Sequence, residues 1–175
     1  AAVCAICLRA VLAASSGPLD AQDRTPLHLR CSRHGRLLRL DAEYVEPFLG
    51  SEDAALAVDA SGRTPLHSAC RDVPCDGDLD VSFLTRVAAL GGASIQNASG
   101  WTPLHISSHP LLISPTAVQL LLEFGADTDA MENKGRTPLR FMIHENNPYK
   151  TEERTAKVEA VKQLLLAAGA GTPGN

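Results

Sequence analysis

The stretch GRTPLHSAC, residues 62–70, decides the fold because its core recurs along the chain. Thr-Pro-Leu-His stands at 25–28, 64–67 and 102–105, and a variant that ends in Arg stands at 137–140. The threonines of successive copies are 39, 38 and 35 residues apart. Self-similarity at such a period is typical of stacked repeat proteins. The sequence therefore predicts an array of similar units.

Each copy also predicts the start of a helix. The threonine hydroxyl caps free backbone N–H groups, and the proline is already set for the first helical turn. The histidine takes the third helical position, where its imidazole can replace the Glu or Gln of a capping box. A glycine suited to a tight turn with positive φ precedes three of the copies. The predicted structural positions are Thr25, His28, Thr64, His67, Thr102, His105 and Thr137.

The units close alike as well. Residues 117–130 and 160–171 read as apolar helices that stop at a glycine, and 84–94 is a weaker version. Glycine just past the last apolar residue is the expected helix C-cap. One unit is therefore turn, helix, loop, helix, and stacking on neighbours buries the face that neither helix can bury alone.

With these motifs, the chain resembles the ankyrin-repeat family, whose unit has about 33 residues and a T-P-L-H-x-A signature. The resemblance implies an all-α solenoid of stacked helix-loop-helix units with β-turn fingers, with about four repeats after an N-terminal half repeat. We assign one ankyrin-repeat domain over 1–175: a partial or capping repeat at 1–20 and repeats at 21–59, 60–97, 98–132 and 133–175.

The departures from the family pattern leave two interpretations open. Apparent insertions at 71–80 and 145–155 fall between the two helices of their units. They are either tolerated lengthening, which costs little free energy, or a separate binding surface. The repeat register is least defined at 30–58, where the unit is irregular. Arg140 replaces the signature histidine, so we expect that cap to be altered.

Composition and cysteine usage narrow the class. Apolar residues make up 45% of the chain, the net charge is −4, and no long uncharged apolar run predicts a membrane span. The apolar N-terminus is a weak match to a signal peptide, because Arg9 interrupts it. An odd number of cysteines without framework spacing favours a reducing, intracellular compartment, cytoplasmic or nuclear. The five are Cys4, Cys7, Cys31, Cys70 and Cys75.

Metal and catalytic motifs are weak. The CxxC at 4–7 has no second pair nearby, and the acidic 76–80 lacks the later ligands of a calcium loop. His109 and His144 each follow their threonine by seven residues, which predicts equivalent places on adjacent first helices. That spacing is wide for one zinc ion. We expect no metal, no cofactor and no enzymatic activity.

The resemblance implies a protein partner held by the finger tips and the inner face of the first helices. Trp and Arg are enriched among interface hot spots, and Trp101 is predicted to lie at an exposed tip unless it folds over its neighbour. Small-molecule, membrane and nucleic-acid ligands are not expected. The alternatives are a substrate receptor of a ubiquitin ligase and a regulatory or targeting domain of a larger enzyme. The candidate partner-binding residues are Arg24, Arg63, Trp101, Arg136, Arg71, His109, His144 and Glu145.

Overall fold

The computed structural model describes residues 20–31, 52–71, 81–144 and 151–171, and in these ranges its regular structure is entirely helical. The predicted all-α class is thereby confirmed. The helices are α1 (Pro26–Cys31), α2 (Glu52–Leu56), α3 (Pro65–Arg71), α4 (Val81–Ala89), α5 (Pro103–Ser107), α6 (Pro115–Glu123), α7 (Pro138–His144) and α8 (Glu152–Ala167). None of them is long and apolar enough to cross a membrane.

The helices form two layers. The inner helices α1, α3, α5 and α7 each begin at the proline of a Thr-Pro-Leu motif and pack on one another in chain order. The outer helices α4, α6 and α8 pack on one another in the same order. Each outer helix also contacts the inner helix of its own unit, α4 on α3, α6 on α5 and α8 on α7. This is the stacked two-helix architecture that the repeated motif predicts.

The core lies between the layers and is built by repetition. Leu66 and Leu104, each the leucine of a Thr-Pro-Leu motif, are fully buried, and the equivalent Leu139 is 1% exposed. The outer helices contribute the fully buried Leu121 and Leu165. Each such leucine stabilises the fold by roughly 1.5–3 kcal/mol relative to an exposed position.

The turns between units follow the glycine pattern, with one exception. Gly62, Gly100 and Gly135 have φ of 70°, 77° and 73°, in the left-handed region that L side chains disfavour. The first unit has Asp23 at the equivalent place, with φ of 56°. Asp tolerates this region better than most residues because its short side chain bonds locally, so the unit without glycine still makes the turn.

The fourth unit corrects the predicted insertion at 145–155. Helix α8 begins at Glu152, and Thr151 is its N-cap, with its hydroxyl oxygen 3.3 Å from the N–H of Arg154. The first half of this helix is mostly polar, so the apolar pattern appears late and the sequence analysis begins the helix near 160. Glu152 and Glu153 in the first turn favour the helix through its dipole.

Other expectations fall partly or wholly outside the described residues. Arg71, the first residue of the apparent insertion at 71–80, is the last residue of α3, and the rest of that insertion lies beyond the described ranges. The partial repeat at 1–20 is described only at Asp20, and the irregular register only at its two ends. Three of the five cysteines also lie outside the described residues, namely Cys4, Cys7 and Cys75.

Candidate partner-binding surface

Five-residue turns, here called fingers, connect the units at 20–24, 59–63, 97–101 and 132–136. In the second finger the N–H of Asp59 donates to the carbonyl oxygen of Arg63 at 2.9 Å, and the N–H of Gly62 donates to that of Asp59 at 2.8 Å. The third and fourth fingers close in the same way, at 2.9 and 3.0 Å between their first and fifth residues. The residue before each signature threonine therefore stands at a fixed place on each finger.

Three fingers hold their arginine in an internal ion pair. Nη2 of Arg63 lies 2.7 Å from Oδ2 of Asp59, whose side chain is only 1% exposed. Burial by itself raises the pKa of Asp59, but hydrogen bonds from Arg63 and Ser61 outweigh it and hold the pKa below its ordinary value. These arginines therefore help to build the fingers. The equivalent pairs are Arg24–Asp20 and Arg136–Glu132, at 2.6 and 2.9 Å.

The sequence analysis missed these pairs, although a signal for them exists. An acidic residue stands four positions before the arginine in the first, second and fourth fingers. The third finger instead has Asn97 four positions before Trp101. Oδ1 of Asn97 accepts the N–H groups of Ser99 and Trp101 at 2.9 and 3.0 Å, so it preserves the turn. Because the Asn97 side chain is uncharged, it forms no ion pair with the fifth residue of the finger, and that residue can be apolar.

Trp101 does not project into solvent as an isolated tip. Its ring is half-buried and meets the ring of Phe141, on α7 of the next unit, edge-on with centroids 4.8 Å apart. Edge-to-face aromatic pairs are favourable beyond the area that they bury. Phe141 also lies 4.7 Å from the guanidinium carbon of Arg136. The indole therefore lies across the inner layer, with part of it in water.

The signature histidines link each unit to the next. Nδ1 of His67 accepts the N–H of Thr64 at 3.1 Å, and its Nε2 lies 2.9 Å from the carbonyl oxygen of Trp101. Because a carbonyl only accepts, the proton is on Nε2. Burial lowers the pKa of His67 to about 4, so the ring is neutral at physiological pH. His28 and His105 make the same links, and burial lowers their pKa values too.

One open cleft of about 640 Å³ lies between the second and third fingers, at the inner helices. Trp101, Ile106 and Leu112 give its lining an apolar part, and small or polar residues of the two fingers also line it. The structure brings four of the predicted partner-binding residues to its lining, two from each of two neighbouring units. They are Arg63, Arg71, Trp101 and His109.

The other predicted residues lie elsewhere. Arg24 and Arg136 stand on the first and fourth fingers, outside the cleft lining. His144 ends α7, but its side chain and all of Glu145 fall outside the described part of the chain. His109 is not on a first helix as predicted, because α5 ends at Ser107. Its ring lies 6.1 Å from that of Trp101.

The sequence analysis also missed apolar residues of this surface. Ile106 and Phe141 each follow their threonine by four residues, where the second unit has the small Ser68. Large apolar side chains at this repeated position were the available signal. In the third and fourth units they build the apolar wall of the cleft and the ring that supports Trp101.

The described ranges contain no metal-binding cluster that would accompany the cleft. No cluster of three His, Cys, Asp or Glu residues there could hold a metal ion. Cys31 and Cys70 are buried and lie outside any disulfide, and burial raises the pKa of Cys70 to about 12. A thiol this resistant to ionisation is a poor nucleophile. Both cysteines belong to the hydrophobic core cluster.

Known proteins place the repeat in context. The ankyrin repeat family model matches residues 99–133, which include the third finger, α5 and α6. The chain is 30% identical over 127 residues to the B-cell lymphoma 3 protein homolog of Mus musculus and 32% identical over 129 residues to the B-cell lymphoma 3 protein of Homo sapiens. Each match covers 71% of this chain and 26% of the relative, so the chain spans about a quarter of their length.

Proposed function

Because this chain is an ankyrin-repeat protein, we propose that it is an interaction module that holds a partner protein against its fingers and inner helices. The observation that supports this role is the cleft between the second and third fingers. It gathers Arg63, Arg71, Trp101 and His109 on one surface. Trp and Arg are the residue types that most often dominate binding free energy in protein interfaces.

The contacts assign different parts to these residues. The guanidinium of Arg63 is held by the buried Asp59, so it shapes the finger first. Arg71 is exposed at the end of α3, and no residue of the described ranges pairs with it. We therefore place the energetic centre of the site at Trp101 and Arg71. Arg24, Arg136, His109, His144 and Glu145 remain proposed contributors around it.

The wider setting is also a proposal. A protein partner without catalysis fits this surface, and buried free thiols suit an intracellular, reducing compartment. The ubiquitin-ligase and enzyme-regulatory alternatives concern sequence outside this chain. No contact among the described residues favours either of them over a plain interaction module.

Substitution at the cleft tests the proposed site. With a purified partner obtained by affinity capture, we expect Trp101→Ala and Arg71→Ala each to weaken binding by about 2 kcal/mol. Trp101→Ala removes apolar contact area, and Arg71→Ala removes an exposed cation at the edge of the cleft. Isothermal titration calorimetry measures the binding constants, and circular dichroism checks that both variants fold.

The matched control is Arg140→Ala. Arg140 is an exposed arginine on the inner helix α7 but does not line the cleft. We expect its substitution to leave the binding constant unchanged. Binding that is equally unaffected in Trp101→Ala and Arg71→Ala would place the interface elsewhere on the molecule.

A further inference from the structure

The residues that line the cleft indicate which chemical class of ligand it binds. This inference rests on the proposed function. We infer that it binds an extended acidic segment of a partner, with an apolar side chain on the Trp101 wall and a neighbouring carboxylate at Arg71. The three features that carry this are the apolar wall, the charge balance of the lining and the volume of the cleft.

The apolar wall selects an apolar side chain. Trp101, Ile106 and Leu112 line the same space, and the ring of Phe141 packs edge-on against the indole. Trp101 and Leu112 are only partly buried, so apolar surface remains in water in the free protein. A partner side chain that covers this surface removes it from water, which favours binding.

The charge balance selects a carboxylate over an ammonium group. The lining contains two cations and no acidic residue. Asp59, the first residue of the second finger, already neutralises Arg63 through the ion pair at 2.7 Å. Arg71 therefore leaves the cleft with an uncompensated positive charge among the described residues. A guanidinium offers a planar set of donors that fits a carboxylate, and it repels a lysine.

The same balance argues against a nucleic acid. Affinity for a phosphate backbone comes from several cations that each neutralise a phosphate. In the part of the chain that the structure describes, the cleft lining has two arginines, and one of them, Arg63, is already paired with Asp59. The cleft volume of about 640 Å³ exceeds that of one side chain, and the lining includes residues of both the second and the third finger. An extended peptide, with adjacent side chains that reach Trp101 and Arg71, matches this shape.

The chain contains a built-in reporter for a direct test, because its single tryptophan lines the cleft. Four capped peptides of otherwise equal Gly/Ser sequence would carry Leu-Glu, Leu-Lys, Gly-Glu or Gly-Lys at their centre. We expect the Leu-Glu peptide to change Trp101 fluorescence saturably and to bind at least about tenfold tighter than the other three. Calorimetry on the same peptides provides an independent readout.

A charge reversal makes the test specific to Arg71. In Arg71→Glu we expect the preference to reverse toward Leu-Lys, and in Arg71→Gln we expect the charge preference to vanish. Arg140→Glu, the control on α7, should keep the preference of the unaltered chain. The inference is overturned if Arg71→Glu retains the preference for Leu-Glu, or if no peptide saturates at about 1 mM.

The outcomes also separate this inference from the proposed function. If the partner protein loses affinity in Trp101→Ala while the peptides show no charge preference, the cleft is an interface but its ligand is not acidic. If partner binding is unaffected in Trp101→Ala, the proposed function fails at this site.

Discussion

At the residue scale, the fingers show how one substitution depends on another. A carboxylate in the first position of a finger caps the turn and also holds the arginine in the fifth, as Asp59 does for Arg63. Asn97 keeps the cap and abolishes the ion pair, which makes an apolar fifth residue acceptable. The proposed binding site therefore includes the one finger that lacks the ion pair, the third, which keeps the same backbone turn as the second and fourth.

The glycine of the third finger provides a residue-scale prediction, because a Cβ there would meet the next finger. A Cβ on Gly100 would lie 2.7 Å from Oδ1 of Asn133 and 2.8 Å from its backbone nitrogen. Gly135, with φ of 73° against 77°, would meet nothing within 4 Å. We expect Gly100→Ala to lower the free energy of unfolding by about 1–3 kcal/mol more than Gly135→Ala.

Urea denaturation of the two variants measures this difference. Gly135→Ala is the matched control because it carries the same left-handed strain, about 1–2 kcal/mol, without the clash. Equal losses in the two variants would show that the third and fourth fingers do not pack as closely as the structure has them.

At the element scale, the helix caps also act as the links between repeats. Sequence reasoning predicts that the histidine caps its own helix, because both partners lie within one motif. It does not predict the bond from Nε2 to the finger of the next unit, since the chain order does not reveal which carbonyl lies opposite. The fourth unit has Arg140 in place of the histidine. The backbone nitrogen of Arg140 lies 3.4 Å from the hydroxyl oxygen of Thr137, so the threonine cap is kept, and the Arg140 side chain is exposed.

These neutral histidines predict that acid weakens the stack. The pKa of His67 is about 4 in the folded chain, below its ordinary value of 6.5. Between these values the unfolded chain binds the proton more readily, so the free energy of unfolding falls as the pH decreases from 6.5 to about 4. His67 alone accounts for about 3 kcal/mol of this loss, at about 1.4 kcal/mol per pH unit.

NMR titration of the imidazole signals tests this directly. We expect the His67 signals, assigned by their absence in His67→Gln, to stay in the neutral form at pH 5.5. Urea denaturation should give a shallower dependence of stability on pH in His67→Gln than in the unaltered chain. A His67 ring that titrates near 6.5 in the folded protein contradicts the buried link to Trp101.

At the scale of the whole molecule, the sequence predicts what repetition determines and misses what contact between units determines. The motif period gives the helical class and the buried leucines, because each unit must hide the same face. The start of α8 is missed because its first half is polar. The position of the Trp101 indole is missed because it depends on Phe141, which belongs to the next unit. The cleft is missed for the same reason, because residues of two neighbouring units line it.

The same dependence on neighbours predicts how core damage spreads. Helix α5 packs on α3 and on α7, and Leu104 within it is fully buried. We expect Leu104→Ala to lower the free energy of unfolding by about 2–5 kcal/mol, through lost burial and the cavity that remains. Because each unit is stabilised by its neighbours, hydrogen exchange should accelerate in α3 and α7 as well as in α5.

Leu111→Ala, at a residue that is 41% exposed, is the control and should change the free energy of unfolding by about 0.5 kcal/mol or less. Faster exchange confined to α5 and α6 would show that the units do not stabilise one another.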